Sequence, residues 1–161
     1  MATVKNKENK QPRSTRKLPR RYFSGLSKEK RQQRLKEIQK FGAKASSDPT
    51  AYVGFKTDIG IKTRKSSYTK DWQAKFPTAH SLQDKSEATG VPLKYITESY
   101  NRGLAAWRTG HRPGATEQQW GYARVHSFLL CGKTYQTTDS DIARRAISES
   151  KTAKAWFKHC L

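Results

Sequence analysis

The sequence predicts a mainly α-helical protein: a small helical domain built around a helical hairpin or helix-turn-helix-like corner, preceded by a basic, extended N-terminal arm. Three observations lead there. Apolar residues recur at spacings of three and four along the second half of the chain. Ser, Thr and Asp stand where several of these runs begin, and Gly or Pro where they end. The first 21 residues hold eight basic side chains and almost no bulky apolar ones, so they have nothing to bury.

Residues 1–21 are therefore expected to be disordered when free. They form either a solubilising tail or an arm for a polyanion, and the single sign of their charge favours the arm. "YFSGLSKEKRQQRLKEIQKFG" follows. Ser27 is placed to cap a helix, with Glu29 in its first turn and Gly42 as its stop. Leu35, Ile38 and Phe41 define a thin apolar face, and Lys28, Lys30, Arg31, Arg34 and Lys36 populate the rest as a solvated or a functional basic surface. Residues 43–68 have no helical period. Loose alternation of Tyr52, Val53, Phe55, Ile59 and Ile61 suggests a short hairpin, or an extended segment lying on a partner. "TKDWQAKF" reads as one or two helical turns before Pro77.

From Ser81 the signals sharpen. "SLQDKSEATGVPLKYITESYNRG" reads as a capped helix, a turn at Gly90, and a second helix opened by Pro92. Gly90, Val91 and Ile96 have the spacing of a helix-turn-helix. The outward residues of its second helix would be Lys94, Thr97, Glu98 and Asn101. Only one is basic and Glu98 opposes phosphate, so a plain helical hairpin is favoured over a base reader. Thr116 and Gln119 form a capping box, after which Trp120, Ala123, Ser127 and Leu130 trace one helical face to a stop at Gly132. Asp139 reads as the next N-cap, with Ile142, Ala146 and Ile147 on one face. Trp156 and Phe157 are expected to fold back on the core.

The stretch from Tyr100 to Val125 is thus a helix end, a Gly/Pro turn and a helix start. Trp107 and Trp120 are expected to be its core anchors. Arg102, Arg108, Arg112 and Arg124 are candidate anion ligands. The competing reading has them pair with Glu98, Glu117 or Asp139, or cap backbone carbonyls inside the fold.

Charge bounds the partners. The formal net charge is +20, which attracts polyanions and opposes compaction. Residues 1–75 carry 21 Lys and Arg against 6 acidic residues, and residues 76–161 carry 12 against 7, so the front is the electrostatic end and the back the expected core. The chain accordingly divides into an arm (1–21), a basic helix with an irregular segment (22–80) and a helical core domain (81–161). No apolar run reaches the ~20 residues of a membrane-spanning helix. The N-terminus lacks the apolar stretch of a secretory signal. Two cysteines are too few for a disulfide framework, and the chain reads as made in a reducing compartment.

Chemistry is sparse. The carboxylates are scattered, and the only close pair, Asp139 and Asp141, reads as a helix cap rather than an ion site. His126, Cys131, His159 and Cys160 could supply zinc ligands, but adjacent His159 and Cys160 argue against one shared ion, so no metal and no cofactor is expected. His111 sits among arginines as in phosphoryl-transfer sites, yet no nucleophile accompanies it. No phosphate-binding glycine loop is present.

"RYFSGLSKEKRQQRLKEIQK", "KSSYTKDWQAKF", "ATGVPLKYITESYNRGLAAWRTGHRPGATEQQWGYARVHSFLLCGK" and "DSDI" occur in that order. Together they resemble a family of small basic proteins encoded by large DNA viruses of algae and protists and by some large tailed phages. The resemblance covers residues 20–142 and is most specific over the Arg102–Phe128 corner. Cys131-Gly132 departs from it, two small residues being the pattern there. No activity is established for that family, so no catalytic residue is carried over. The resemblance implies a viral origin and a virion or genome-associated role.

The expected function is thus a non-enzymatic virion protein. It would bind packaged DNA or line the inner face of the capsid as a minor component, with DNA and other virion proteins as partners, and be found in the virion and, during assembly, inside the host cell. Its anion ligands would be Arg13, Arg16, Lys17, Arg20, Arg21, Lys30, Arg31 and Arg34, with Arg102, Arg108, Arg112 and Arg124 at the corner. A helix-turn-helix regulator is the alternative, and a nucleic-acid enzyme the third reading.

Overall fold

The computed structural model describes residues 18–160. The arm residues 1–17 lie outside that span. Among the described residues the regular structure is helical, with no strand. The chain forms two compact units. One runs to Thr63 and also contains Arg108–Ala115; the other holds Arg64–Trp107 and everything from Thr116 onward. These boundaries differ from the segments read off composition, because residues 108–115 belong with the basic helix and residues 64–80 with the helical core.

In the first unit a single 3-10 turn, Arg20–Phe23, precedes helix α1, Lys28–Gly42. Ser27 caps α1 as expected, its Oγ accepting from the Lys30 N–H at 3.3 Å. The inward face is turned from the expected one: Arg34, Ile38 and Phe41 are buried, while Leu35 is only half-buried. Phe41 stacks on Phe55 at 5.5 Å, and Leu18, Tyr22 and Phe23 pack against this small cluster. No hairpin forms between residues 43 and 63. Two 3-10 turns, Pro49–Tyr52 and Lys56–Asp58, take its place. The cause lies on α1. The Glu37 carboxylate accepts from the Lys56 N–H at 2.6 Å and the Thr57 N–H at 3.4 Å, backbone donors that strand pairing would otherwise use, and also from the Thr57 hydroxyl at 2.6 Å. Val53 and Ile59, expected in the hairpin, remain exposed.

The second unit starts with α2, Ser67–Lys75, whose Trp72 is buried and donates from Nε1 to the Ala79 carbonyl at 3.0 Å. Helix α3, Leu82–Thr89, has a reciprocal capping box between Ser81 and Asp84 and ends at Gly90, φ 82°. Helix α4, Leu93–Trp107, follows, and Val91 and Ile96 are fully buried between these two helices and their neighbours. Helix α5, Glu117–Leu129, carries the expected Thr116–Gln119 box. A short α6, Lys133–Gln136, leads to α7, Ser140–Glu149, and α8, Lys151–Phe157, closed by the 3-10 turn Lys158–Cys160. The core of this unit is centred on Trp72, Tyr95, Ile96, Phe128, Ile142 and Phe157.

One expectation for the corner is corrected. Helix α4 runs through Gly103 to Trp107. Gly103 is a crossing point: a Cβ there would come within 2.8 Å of the Gly121 Cα, and a Cβ on Gly121 within 2.8 Å of the Tyr100 ring. This close approach turns α5 so that Val125, Phe128 and Leu129 face the core. Trp120 is consequently only half-buried, and of the two expected anchors Trp107 alone is buried.

Gly103→Ala tests the crossing. Helix propensity alone would stabilise α4 by about 1 kcal/mol. Overpacking against backbone is expected to reverse this, with a net loss of about 1–3 kcal/mol in denaturant unfolding. A raised unfolding midpoint would show that the helices do not meet there.

Candidate anion-binding surfaces and the paired arginines

The corner arginines divide between the two units. In the second unit Arg102 and Arg124 converge on Asp139, whose side chain is fully buried. Arg124 grips the carboxylate with both edges of its fork, Nη2 to Oδ1 at 2.7 Å and Nε to Oδ2 at 3.1 Å. The Ser99 hydroxyl donates to Oδ2 at 2.7 Å, and Arg102 reaches Oδ1 at 3.3 Å. Arg102 also pairs with Asp141 at 2.7 Å and Glu98 at 3.0 Å, and Arg145 joins Glu98 at 2.5 Å. The hydrogen bond from Arg102 holds the Asp141 carboxyl well below the usual carboxylate range and raises the guanidinium in return. The internal pairing left open by the sequence is what forms. Arg102 and Arg124 act as struts that pair with the carboxylates of this unit. Asp139 stands at the N-cap of α7, but its carboxylate makes no cap bond, being taken by the arginines.

In the first unit Arg34 is fully buried, which corrects its reading as a surface ligand. It donates to the Thr57 hydroxyl at 2.8 Å, Asp58 Oδ1 at 2.9 Å and the His111 carbonyl at 2.6 Å, with the Phe55 ring 5.0 Å away. His111 Nε2 lies 2.6 Å from Asp58 Oδ2, and the Gly114 N–H donates to Oδ1 at 3.0 Å. Asp58 therefore knits residues 108–115 to α1. His111 has no exposed surface on which to meet a phosphate. Arg108 donates to the Gly42 carbonyl at 3.0 Å, at the negative end of α1, and Arg112 is half-buried.

The surface cations are different residues. Arg20, Arg21, Lys28, Lys30, Arg31, Lys36 and Lys40 are exposed on the first 3-10 turn and on α1. Arg13, Arg16 and Lys17 lie outside the described residues. A second basic strip, not anticipated from the sequence, is formed by exposed Lys151, Lys154 and Lys158 on α8 and its following turn. Their spacing of three and four was the available signal. On the α3–Gly90–α4 pair, Lys94 and Asn101 are exposed, but the Glu98 carboxylate is occupied by Arg102 and Arg145.

Two further buried groups carried no local signal. Lys85 donates to the Ala79 and His80 carbonyls at 3.0 and 2.6 Å, and burial pulls its ammonium down to about 8. Burial, aided by the Lys85 charge, lowers His126 to about 3, so its imidazole is neutral at pH 7; Nδ1 lies 2.8 Å from the Thr69 hydroxyl. At the end of the second unit Cys131 and Cys160 are joined in a disulfide, Cα atoms 5.6 Å apart. The ligand atoms of Cys131, His159 and Cys160 all lie within 4.8 Å of one another, so adjacency of His159 and Cys160 does not keep them apart.

Removing either carboxylate has a defined consequence. Asp139→Ala leaves the Arg124 guanidinium and the buried Ser99 hydroxyl without their carboxylate acceptor, while Arg102 keeps Asp141 and Glu98; a loss of about 3–5 kcal/mol is expected in unfolding experiments at pH 7, and an unchanged midpoint would refute the strut role. Asp58 gives a pH signature. Burial acts to raise its pKa, but the His111 hydrogen bond and charge, the Gly114 amide and Arg34 together outweigh it and hold the carboxyl below its ordinary 3.8. The stability from this group is thus fully present above about pH 4 and lost as pH falls through the lowered value. The stability difference between wild type and Asp58→Asn, followed by circular dichroism, should shrink as pH drops below about 4.

No curated protein and no solved structure matches the chain. A model of a family of unknown function, DUF5824, matches residues 19–145, a span holding α1, both carboxylate networks and the glycine crossing. The chain is a member of that family of unknown function, DUF5824.

Proposed function

We propose that this chain is a non-enzymatic structural protein of a large DNA virus that binds a polyanion, packaged DNA in the first instance. The observation that carries the reading is the division of labour on α1. Arg34 faces inward and its two terminal nitrogens are engaged by Thr57, Asp58 and His111, while Lys28, Lys30, Arg31, Lys36 and Lys40, like Arg20 and Arg21, face solvent. Such an array of cations neutralises phosphates without reading bases. The basic arm, Arg13, Arg16 and Lys17 included, extends the same charge. The viral setting rests on the resemblance of residues 20–142. A minor capsid component lining the inside of the shell uses the same surface against acidic protein. Localisation to the virion, and to the host interior during assembly, belongs to this proposal.

A helix-turn-helix regulator is the second reading. It is favoured by Gly90 at φ 82° with Val91 and Ile96 buried at the turn. It is disfavoured by the outward face of α4, where Glu98 is locked in ion pairs and Lys94 is the one cation among the four outward residues.

Salt titrations on random and varied duplexes separate these. With DNA as the ligand, affinity falls linearly with salt on logarithmic axes. Replacing Lys28, Lys30 and Arg31 by Ala reduces the slope by about 0.9 for each phosphate that is no longer neutralised, equally for every sequence. Deleting residues 1–21 flattens it further without shifting the midpoint of the second unit. A salt-independent interaction, or one confined to a single sequence, would overturn the reading.

A further inference from the structure

The C-terminal turn carries chemistry that neither the basic surfaces nor the arginine networks use. Cys131 Sγ lies 3.6 Å from His159 Nε2, and the ligand atoms of Cys131, His159 and Cys160 are all within 4.8 Å of one another. Neighbours hold them in place. Trp156 donates from Nε1 to the Leu129 carbonyl at 2.8 Å, and its ring meets the His159 ring edge-on at 5.1 Å. The Gln136 amide donates to the Cys131 carbonyl at 3.1 Å, and the Gly132 N–H to the Ser127 carbonyl at 2.7 Å. The backbone adds an independent observation. Cys131, at φ 61°, is alone among the described non-glycine residues in having a positive φ. It occupies the position just past a helix end where glycine fits without steric cost and a side chain does not. A cysteine held there, aimed at His159 and Cys160, points to a use for its sulfur.

We infer that, with the Cys131–Cys160 bond open, Cys131, His159 and Cys160 bind a thiophilic d10 cation, zinc in the first instance, leaving a fourth position toward solvent. Two thiolates and one imidazole are a set that zinc takes, and the thiolates neutralise the dication. The steps balance. A dithiol supplies two electrons and two protons and becomes a disulfide itself, while the Cys131–Cys160 bond becomes two thiols. Zinc then displaces both protons to solvent and takes the two sulfurs and Nε2 of the neutral imidazole. The disulfide and the metal site are thus alternative states of one turn, which ties the residues after α8 to the end of α5.

The test uses the full chain reduced with a trialkylphosphine, which takes up the oxygen of one water to become the phosphine oxide, and Co²⁺ as the probe. A sulfur-to-cobalt charge-transfer band is expected, saturating at one ion per chain and collapsing when Zn²⁺ is added. Cys160→Ser should abolish the band, and His159→Ala should weaken cobalt affinity by about an order of magnitude or more. Cys131→Gly is the decisive variant, because glycine suits φ 61° and the fold is retained while the ligand is lost; its melting midpoint under reducing conditions should not fall. The inference is overturned by a reduced wild type without the band, by a band that survives Cys131→Gly, or by a Cys131–Cys160 bond that millimolar dithiol fails to open.

Discussion

The second unit depends on satisfying one buried carboxylate. Asp139 has no exposed surface, and an ionised group in that position is several kilocalories per mole out of balance unless it is fully paired. Arg124 from α5 and Arg102 and Ser99 from α4 meet at its two oxygens, and Asp139 itself stands at the start of α7. Three helices are thereby fixed in register by one side chain. The glycine crossing is part of the same constraint. The Arg124 Cβ and Cδ pass 3.4 Å from where a Gly103 Cβ would stand, so the arginine runs alongside the crossing, whose tight contact is with the Gly121 Cα at 2.8 Å.

The first unit applies the same logic to a smaller core. Its apolar cluster is centred on Ile38, Phe41 and Phe55, too little to order the irregular loops on its own. Asp58 makes up the difference by binding Arg34, His111 and the Gly114 amide, which draws residues 108–115 onto α1. In both units the planar arginine fork goes inward to a carboxylate. Lysine, a strongly hydrated point charge, mostly stays outside. Among the described residues Lys85 is the exception, buried against two carbonyls and the Trp72 and Tyr122 rings. In a chain with 33 basic and 13 acidic residues, the carboxylates decide which arginines become structural. On the proposed reading, the lysine-rich remainder is what meets the polyanion.

What the sequence determined by itself is local. The caps at Ser27, Ser81 and Thr116 and the left-handed turn at Gly90 were legible because each is completed within about four residues of chain. The mainly helical class and the buried pair Val91 and Ile96 follow from the same short-range patterns. What tertiary structure decided involves partners far apart in sequence. The hairpin was lost to Glu37, some 19 residues upstream of Lys56. Gly103 carries no local signal of its role until Gly121 lies against it, and Trp120 looks like core until that crossing turns α5 away. Arg34 and Arg31 are the same residue type three positions apart, yet one is sealed and the other exposed. The difference is Asp58, 24 residues on. Cys131 and His159, 28 residues apart, likewise meet only because α8 folds back on α5. Spacing along one helix can be read from the chain, but the partner that neutralises a charge or fills a gap is set by which helices cross.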